Sequence, residues 1–149
     1  MPQRPPRNVP LPDHAATERL AGAIAGLASP GDMILLEGPL GAGKSAFARA
    51  FLRTAAGDPA LEVPSPTFTL VQTYDTRIGR VHHYDLWRLD GPAALLELGW
   101  DDAGDDIVLV EWPDRLHDLR PGHALTIALH QSEGDRREAE LTGWPGRLP

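Results

Sequence analysis

Apolar positions recur with two different periods along this chain, and each change of period marks an element. From His14 to Ala28, Leu20, Ile24 and Leu27 return at helical spacing; Asp13 stands where an N-cap belongs, and Ser29-Pro30-Gly31 stops the helix. Asp32 to Glu37 reads as a short, almost wholly apolar strand. Ser45 to Ala56 returns to helical spacing and is closed by Gly57-Asp58-Pro59. Pro64-Ser65-Pro66 forces extended backbone into a run from Thr67 to Asp75. Thr76-Arg77-Ile78-Gly79 separates that run from Arg80 to Leu89, the pattern of a β-hairpin with a loose turn. Pro92 to Leu98 predicts a short helix. Ile107 to Val110 is a continuous apolar run ending in Glu111, as expected of a parallel strand buried on both faces. Ala124 to His130 and Arg137 to Thr142 predict two more strands around a turn near Glu133-Gly134. Met1 to Pro10 has no apolar core; it is neither a signal peptide nor a predicted element, and is expected to be a disordered lead-in (1–10) to a single domain (11–149). A strand and helix, then a hairpin, then a buried strand indicate an α/β fold with a mixed sheet.

The junction of the first strand with the second helix carries the strongest chemistry. Gly38-Pro39-Leu40-Gly41-Ala42-Gly43-Lys44-Ser45 fits the phosphate-binding loop letter for letter. Glycines at 38, 41 and 43 let backbone N–H groups approach phosphate oxygens with no side chain in the way. Lys44 supplies a cation for the β- and γ-phosphates, and Ser45 a hydroxyl for Mg²⁺. The helix opening there, through Ala46, points the positive end of its dipole at the same anion. Of the 14 basic residues, 13 are arginines and the one lysine is Lys44. Where any cation suffices the chain uses Arg; the slim ammonium is kept for the loop. The expectation is a P-loop NTPase-like three-layer fold.

Composition then narrows the function. The chain has no cysteine, which excludes disulfides, thiolate zinc sites and Cys nucleophiles and fits a reducing compartment. No apolar run exceeds about five residues, against the ~20 a membrane helix needs, so no membrane association and a cytoplasmic location are expected. A net charge of −7 argues against autonomous nucleic-acid binding.

Further candidates lie downstream. Glu111, at the end of a buried strand, stands where an acid reaches Mg²⁺ or the attacking water beside such a loop. In His83-Tyr84-Asp85-Leu86-Trp87 the period of two puts His83, Asp85 and Trp87 on one face, and an Asp inside such a strand runs against propensity, as functional residues often do. The neighbours His82 and His83 point to opposite faces, which argues against a metal pair. Ser65 and Thr67 suit either a γ-phosphate contact or the turn that starts a strand. The Asn-Lys-x-Asp box of guanine recognition cannot exist with Lys44 the only lysine, and Asp101-Asp102-Ala103-Gly104 follows no apolar strand, so ATP is the expected nucleotide.

With the loop Gly38 to Ser45, Ser65-Pro66-Thr67-Phe68, His83-Tyr84-Asp85-Leu86-Trp87-Arg88-Leu89 and Glu111-Trp112-Pro113 in this order, the chain resembles the TsaE (YjeE) family. These are bacterial ATPases required to make threonylcarbamoyladenosine next to the tRNA anticodon. The likeness runs from about Leu11 to Thr142. Pro39, Ser45 and Trp87 replace the family's usual Asp, Thr and Tyr; serine serves Mg²⁺ as well as threonine does. The resemblance implies a small, slow P-loop ATPase serving the TsaB–TsaD pair, with tRNA reached only through those partners. It implies that Gly38, Pro39, Leu40, Gly41, Ala42, Gly43, Lys44, Ser45 and Ala46 hold ATP. Ser45 and Glu111 would serve Mg²⁺, Lys44 and Asp85 would assist hydrolysis, and Thr17, Thr67 and Arg137 would line the nucleotide pocket. The alternative is a small-molecule kinase using the same loop with Asp85 as base toward a substrate hydroxyl. It would need an acceptor pocket and a lid, and the sequence offers no evident lid segment.

Overall fold

The computed structural model describes residues 6–39, 41–66, 68–91, 93–134 and 136–148. In chain order they form β1 (Arg7–Leu11), α1 (His14–Leu27), β2 (Met33–Glu37), α2 (Lys44–Ala56), β3 (Val71–Thr76), β4 (Gly79–Asp85), α3 (Ala93–Glu97), α4 (Trp100–Ala103), β5 (Ile107–Glu111), a 3₁₀ segment (Pro113–Leu119), β6 (Leu125–Gln131) and β7 (Arg137–Thr142). The strands make one mixed sheet in the order β1-β7-β6-β2-β5-β4-β3. Its centre is parallel: β2 runs between β5 and β6, and β5 between β2 and β4.

A strand with apolar residues at every position must be covered on both faces, and β2 and β5 are. Ile34, Leu36, Ile107, Leu109 and Val81 pack with Leu20, Ile24, Phe47 and Phe51 of α1 and α2. Met33, Leu35, Val108, Val110 and Tyr84 pack on the other face with Leu95, Trp100 and Leu116. This is the expected three-layer α/β architecture. Each fully buried Leu or Ile contributes roughly 1.5–3 kcal/mol, so these strands form a stiff platform whose ends stay where the core puts them. Asp13 caps α1 by accepting from the Ala16 N–H at 2.8 Å, and Gly57, left-handed at φ 65°, closes α2. No helix among the described residues is long and apolar enough to cross a membrane.

Three expectations are corrected. Arg7–Pro10, assigned to a disordered lead-in, belong to β1, which pairs antiparallel with β7 from Arg7↔Leu141 to Leu11↔Arg137. At the sheet edge Pro10 can lack its N–H without breaking a central ladder. The β3–β4 turn is tight rather than loose, with Thr76 paired to Gly79 and the Thr76 hydroxyl donating to the Gly79 carbonyl at 2.6 Å. Among the described residues, β3 starts at Val71 rather than near Thr67, because Leu70 is left-handed (φ 68°) and turns its N–H back to the Pro66 carbonyl at 2.6 Å. Trp100–Ala103 and the 3₁₀ segment are elements that periodicity did not reveal.

Candidate functional site

The parallel strands β2, β4 and β5 end side by side at Glu37, Asp85 and Glu111, and ligands of open α/β sheets bind outside such carboxyl ends. The β2–α2 loop crosses this rim. Gly38 and Gly43 have φ of 143° and 105°, where side chains are strained. A Cβ on Gly38 would lie 2.6 Å from the Leu129 carbonyl oxygen, and one on Gly43 would lie 3.2 Å from Cδ of Arg137. The loop therefore packs down only as glycine, and α2 starts from Gly43 without a side-chain cap. Its first N–H groups are left for a ligand.

Lys44 is 5 % exposed. Its ammonium donates to the Gly38 carbonyl and, at 3.3 Å, to the Pro39 carbonyl. The ammonium also lies 3.5 Å from the centre of the Trp112 ring. Burial holds this lysine below its ordinary value, while the Glu111, Asp85 and Asp114 carboxylates draw it back up. A cation so placed has already lost much of its water, which favours a phosphate partner.

Strand alternation carries the α1–α2 face of the sheet out to the rim. Val81 is followed on that face by His83 and Asp85, and Ile107 and Leu109 by Glu111. Parallel pairing sets Asp85 opposite Glu111 and His83 opposite Leu109. Glu111, 2 % exposed, accepts from the Ser45 hydroxyl at 3.2 Å through Oε1 and from His83 Nε2 at 2.7 Å through Oε2. Asp85 accepts from the Trp87 N–H at 3.1 Å. Trp87 and Trp112 lie against each other with ring centres 4.4 Å apart and planes tilted by 46°, and both line a cavity that opens between these groups. The cavity, of about 420 Å³, is lined as well by Gly43, Lys44, Ser45, Asp85 and Glu111, among others.

The donor set fits a nucleoside triphosphate with Mg²⁺. Loop N–H groups and Lys44 suit the phosphates. A hydroxyl and a carboxylate oxygen 3.2 Å apart suit a hard cation that keeps most of its ligands as water and phosphate. Among the described residues no three His, Cys, Asp or Glu side chains cluster to hold a metal. A structural zinc or calcium cage needs such a set, whereas a phosphate-bound Mg²⁺ does not.

Of the residues singled out by sequence, Pro39, Gly41, Gly43, Lys44, Ser45, Ala46, Ser65, Asp85 and Glu111 line the cavity. Gly38 and Ala42 complete the loop behind it; Ala42 is buried in the core. Arg137 is brought onto the loop from β7 and donates to the Gly41 carbonyl at 3.0 Å. Thr17 is buried on α1 and is not among the residues lining the cavity. Leu40 and Thr67 lie outside the described residues. Trp87 reaches the cavity from a turn rather than from the strand, because β4 ends at Asp85. Sequence reasoning missed Trp112, which caps Lys44 from a left-handed conformation (φ 61°). It also missed the link from His83 to Glu111; alternation grouped His83 with Asp85, but only the parallel pairing of β4 with β5 brings it to Glu111.

A family model described as threonylcarbamoyl adenosine biosynthesis protein TsaE matches residues 11–139. Among curated relatives, the tRNA threonylcarbamoyladenosine biosynthesis proteins TsaE of Rickettsia felis and Bacillus subtilis are each 34% identical over 128 residues. These alignments span 85% of this chain and 74% and 78% of theirs. The crystal structure of Bacillus subtilis YdiB superposes with a TM-score of 0.78 at 26% identity, covering 99% of this chain and 91% of that one.

Proposed function

Because the chain belongs to the TsaE family of tRNA threonylcarbamoyladenosine biosynthesis proteins, we propose that it is the Mg²⁺-dependent ATP hydrolase of that pathway. The observation that carries this reading is the Ser45–Glu111 contact of 3.2 Å beside the buried Lys44 at the mouth of a complete phosphate loop. Gly38 to Ala46 hold the triphosphate, with Lys44 drawn from its carbonyl partners to the β- and γ-phosphates. Ser45 and Glu111 would hold Mg²⁺, which would supply positive charge to the phosphates. Asp85, fixed by the Trp87 N–H, orients the attacking water. Arg137, braced on the loop at Gly41, lies against the nucleotide; Thr17 and Thr67 are the remaining pocket residues that the family resemblance implies.

Hydrolysis is slow in the isolated protein and is read out by a partner, the TsaB–TsaD pair, in the cytoplasm. With a net charge of −7 the chain has little to neutralise tRNA phosphates, so tRNA is met through those partners. Ser65 to Phe68 and Glu111 to Arg115, near the γ-phosphate, report the nucleotide state. Incubation with ATP separates the readings: released phosphate supports the hydrolase, transfer to an added acceptor supports a kinase, and binding without turnover contradicts both. A pull-down of TsaB and TsaD with an ATP analogue, with ADP and without nucleotide tests the partner; association indifferent to nucleotide removes the switch.

A further inference from the structure

Glu111 is buried and its carboxylate has two protein partners in different directions. One is the Ser45 hydroxyl at Oε1, on the cavity side. The other is His83 at Oε2, from below the cavity floor, since His83 is 1 % exposed and absent from the lining. At 2.7 Å this second bond is short and enclosed. Its direction is fixed by chemistry: a carboxylate oxygen accepts, so the hydrogen is on Nε2. Nδ1 is buried and bonds nothing, so the ring is oriented by one contact only, the one to Glu111.

Two of its neighbours on this face are apolar, Val81 before it on β4 and Leu109 beside it on β5, while Asp85 follows it at the rim and Gln72 of β3 pairs with it on the other side. An apolar side chain would fill the same place without stranding a buried nitrogen. What it would not do is hold Oε2. With Oε2 tied down, the carboxylate plane is set and Oε1 is turned toward Ser45; without it, a terminal carboxylate torsion is broad and roughly two-fold. His82, which precedes it in sequence, makes the same kind of bond to Asp106 at 2.8 Å, but on the opposite face, in a partly exposed pair that does not line the cavity.

We propose that His83 is a positioning residue for the metal site: its Nε2–H holds Glu111 so that the free carboxylate oxygen and the Ser45 hydroxyl form one preset pair for Mg²⁺. This rests on the reading of the cavity as an ATP·Mg²⁺ site. His83 touches neither nucleotide nor metal and acts through Glu111 alone.

The test is calorimetric binding of the non-hydrolysable analogue AMP-PNP, with Mg²⁺ and with EDTA, to the wild type and to His83→Gln, His83→Asn and His83→Leu, each checked for a cooperative melt. Gln can place an amide N–H near the position of Nε2; Asn reaches only that of Nδ1. Expected is an unchanged affinity in EDTA for all four proteins, a loss of ~10-fold or more in the Mg²⁺-dependent increment for Leu and Asn, and recovery in Gln. A full Mg²⁺ increment in His83→Leu overturns the proposal, as does equal behaviour of Gln and Asn if Leu fails to fold. Absence of any Mg²⁺ increment in the wild type instead overturns the ATP·Mg²⁺ reading itself.

Discussion

The two ends of the central parallel strands are built to opposite rules. At the carboxyl ends gather Lys44, His83, Asp85 and Glu111, four of the five buried polar or charged side chains among the described residues, together with left-handed backbone at Gly38, Gly43 and Trp112. At the amino ends, polar groups are paired nearer the surface. Arg147 clamps both oxygens of Asp32 at 3.0 and 2.7 Å and reaches the Leu27 carbonyl at 2.9 Å. His82 bonds Asp106 just ahead of β5. The adjacent histidines sharpen the contrast: nearly equal bond lengths, but side-chain exposures of 16 % and 34 % in the His82 pair against 2 % and 2 % in the His83 pair. A buried polar pair gains little stability over apolar packing and is kept for another reason. Here that reason is chemistry. If the proposed function holds, the amino-end rim serves the fold and the carboxyl-end rim the ligand, and substitutions at the two ends should fail in different ways.

The largest difference is expected at Lys44. Lys44→Ala should abolish ATP binding while the protein still melts cooperatively. Lys44→Arg should fail almost as badly, because a guanidinium fork does not fit the space under Trp112 and the loop carbonyls. Near-normal activity in Lys44→Arg would break the argument from the single lysine.

Next come the carboxylates. Asp85→Ala should bind ATP with near-normal affinity and hydrolyse it ~10²-fold more slowly, the scale of a lost general base. Calorimetry followed by phosphate release separates the two effects, and an unchanged rate would return Asp85 to a merely structural role.

At the other rim, Arg147→Ala should lower stability by about 1 kcal/mol, the order of a partly exposed ion pair with good geometry, and leave ATP affinity alone. Thermal melts and calorimetry on one preparation decide it. A loss of ATP binding there would dissolve the contrast between the ends.

The smallest effect is one of pH. Burial works to raise the Asp32 carboxyl, but hydrogen bonds from Arg147 and Ser29 and the charge of Arg147 win, and it lies below the ordinary 3.8. A carboxyl depressed in the folded state contributes its stability fully above 3.8 and loses it as pH falls through the lower folded value. The melting difference between wild type and Asp32→Asn should be constant at neutral pH and shrink below about pH 4.

The sequence carried most of this where local chemistry is unambiguous. A phosphate loop needs its glycines, lysine and hydroxyl at fixed spacing, so Gly38 to Ser45 could be read directly. An apolar run ending in an acid announced β5 and Glu111. Asp85 stood out because a strand resists aspartate. The parts that escaped depend on contacts between distant segments. Arg7–Leu11 is a strand only because β7 offers an edge; Pro10 and the prolines just ahead of it argue for irregular chain when read alone. His83 and Glu111 are 28 residues apart and meet only because β4 and β5 pair in parallel with Asp85 beside Glu111. Trp112 covers Lys44 through a left-handed turn that no periodicity encodes.

The central claim is that the carboxyl-end rim is an ATP·Mg²⁺ hydrolysis site, and phosphate release by wild type and Glu111→Ala across a Mg²⁺ titration at saturating ATP tests it most directly. The account predicts a wild-type rate that is absent in EDTA and climbs to a plateau with Mg²⁺, and a Glu111→Ala rate that stays near the background throughout. A wild-type rate indifferent to Mg²⁺, or a Glu111→Ala curve that overlays the wild type, would contradict it.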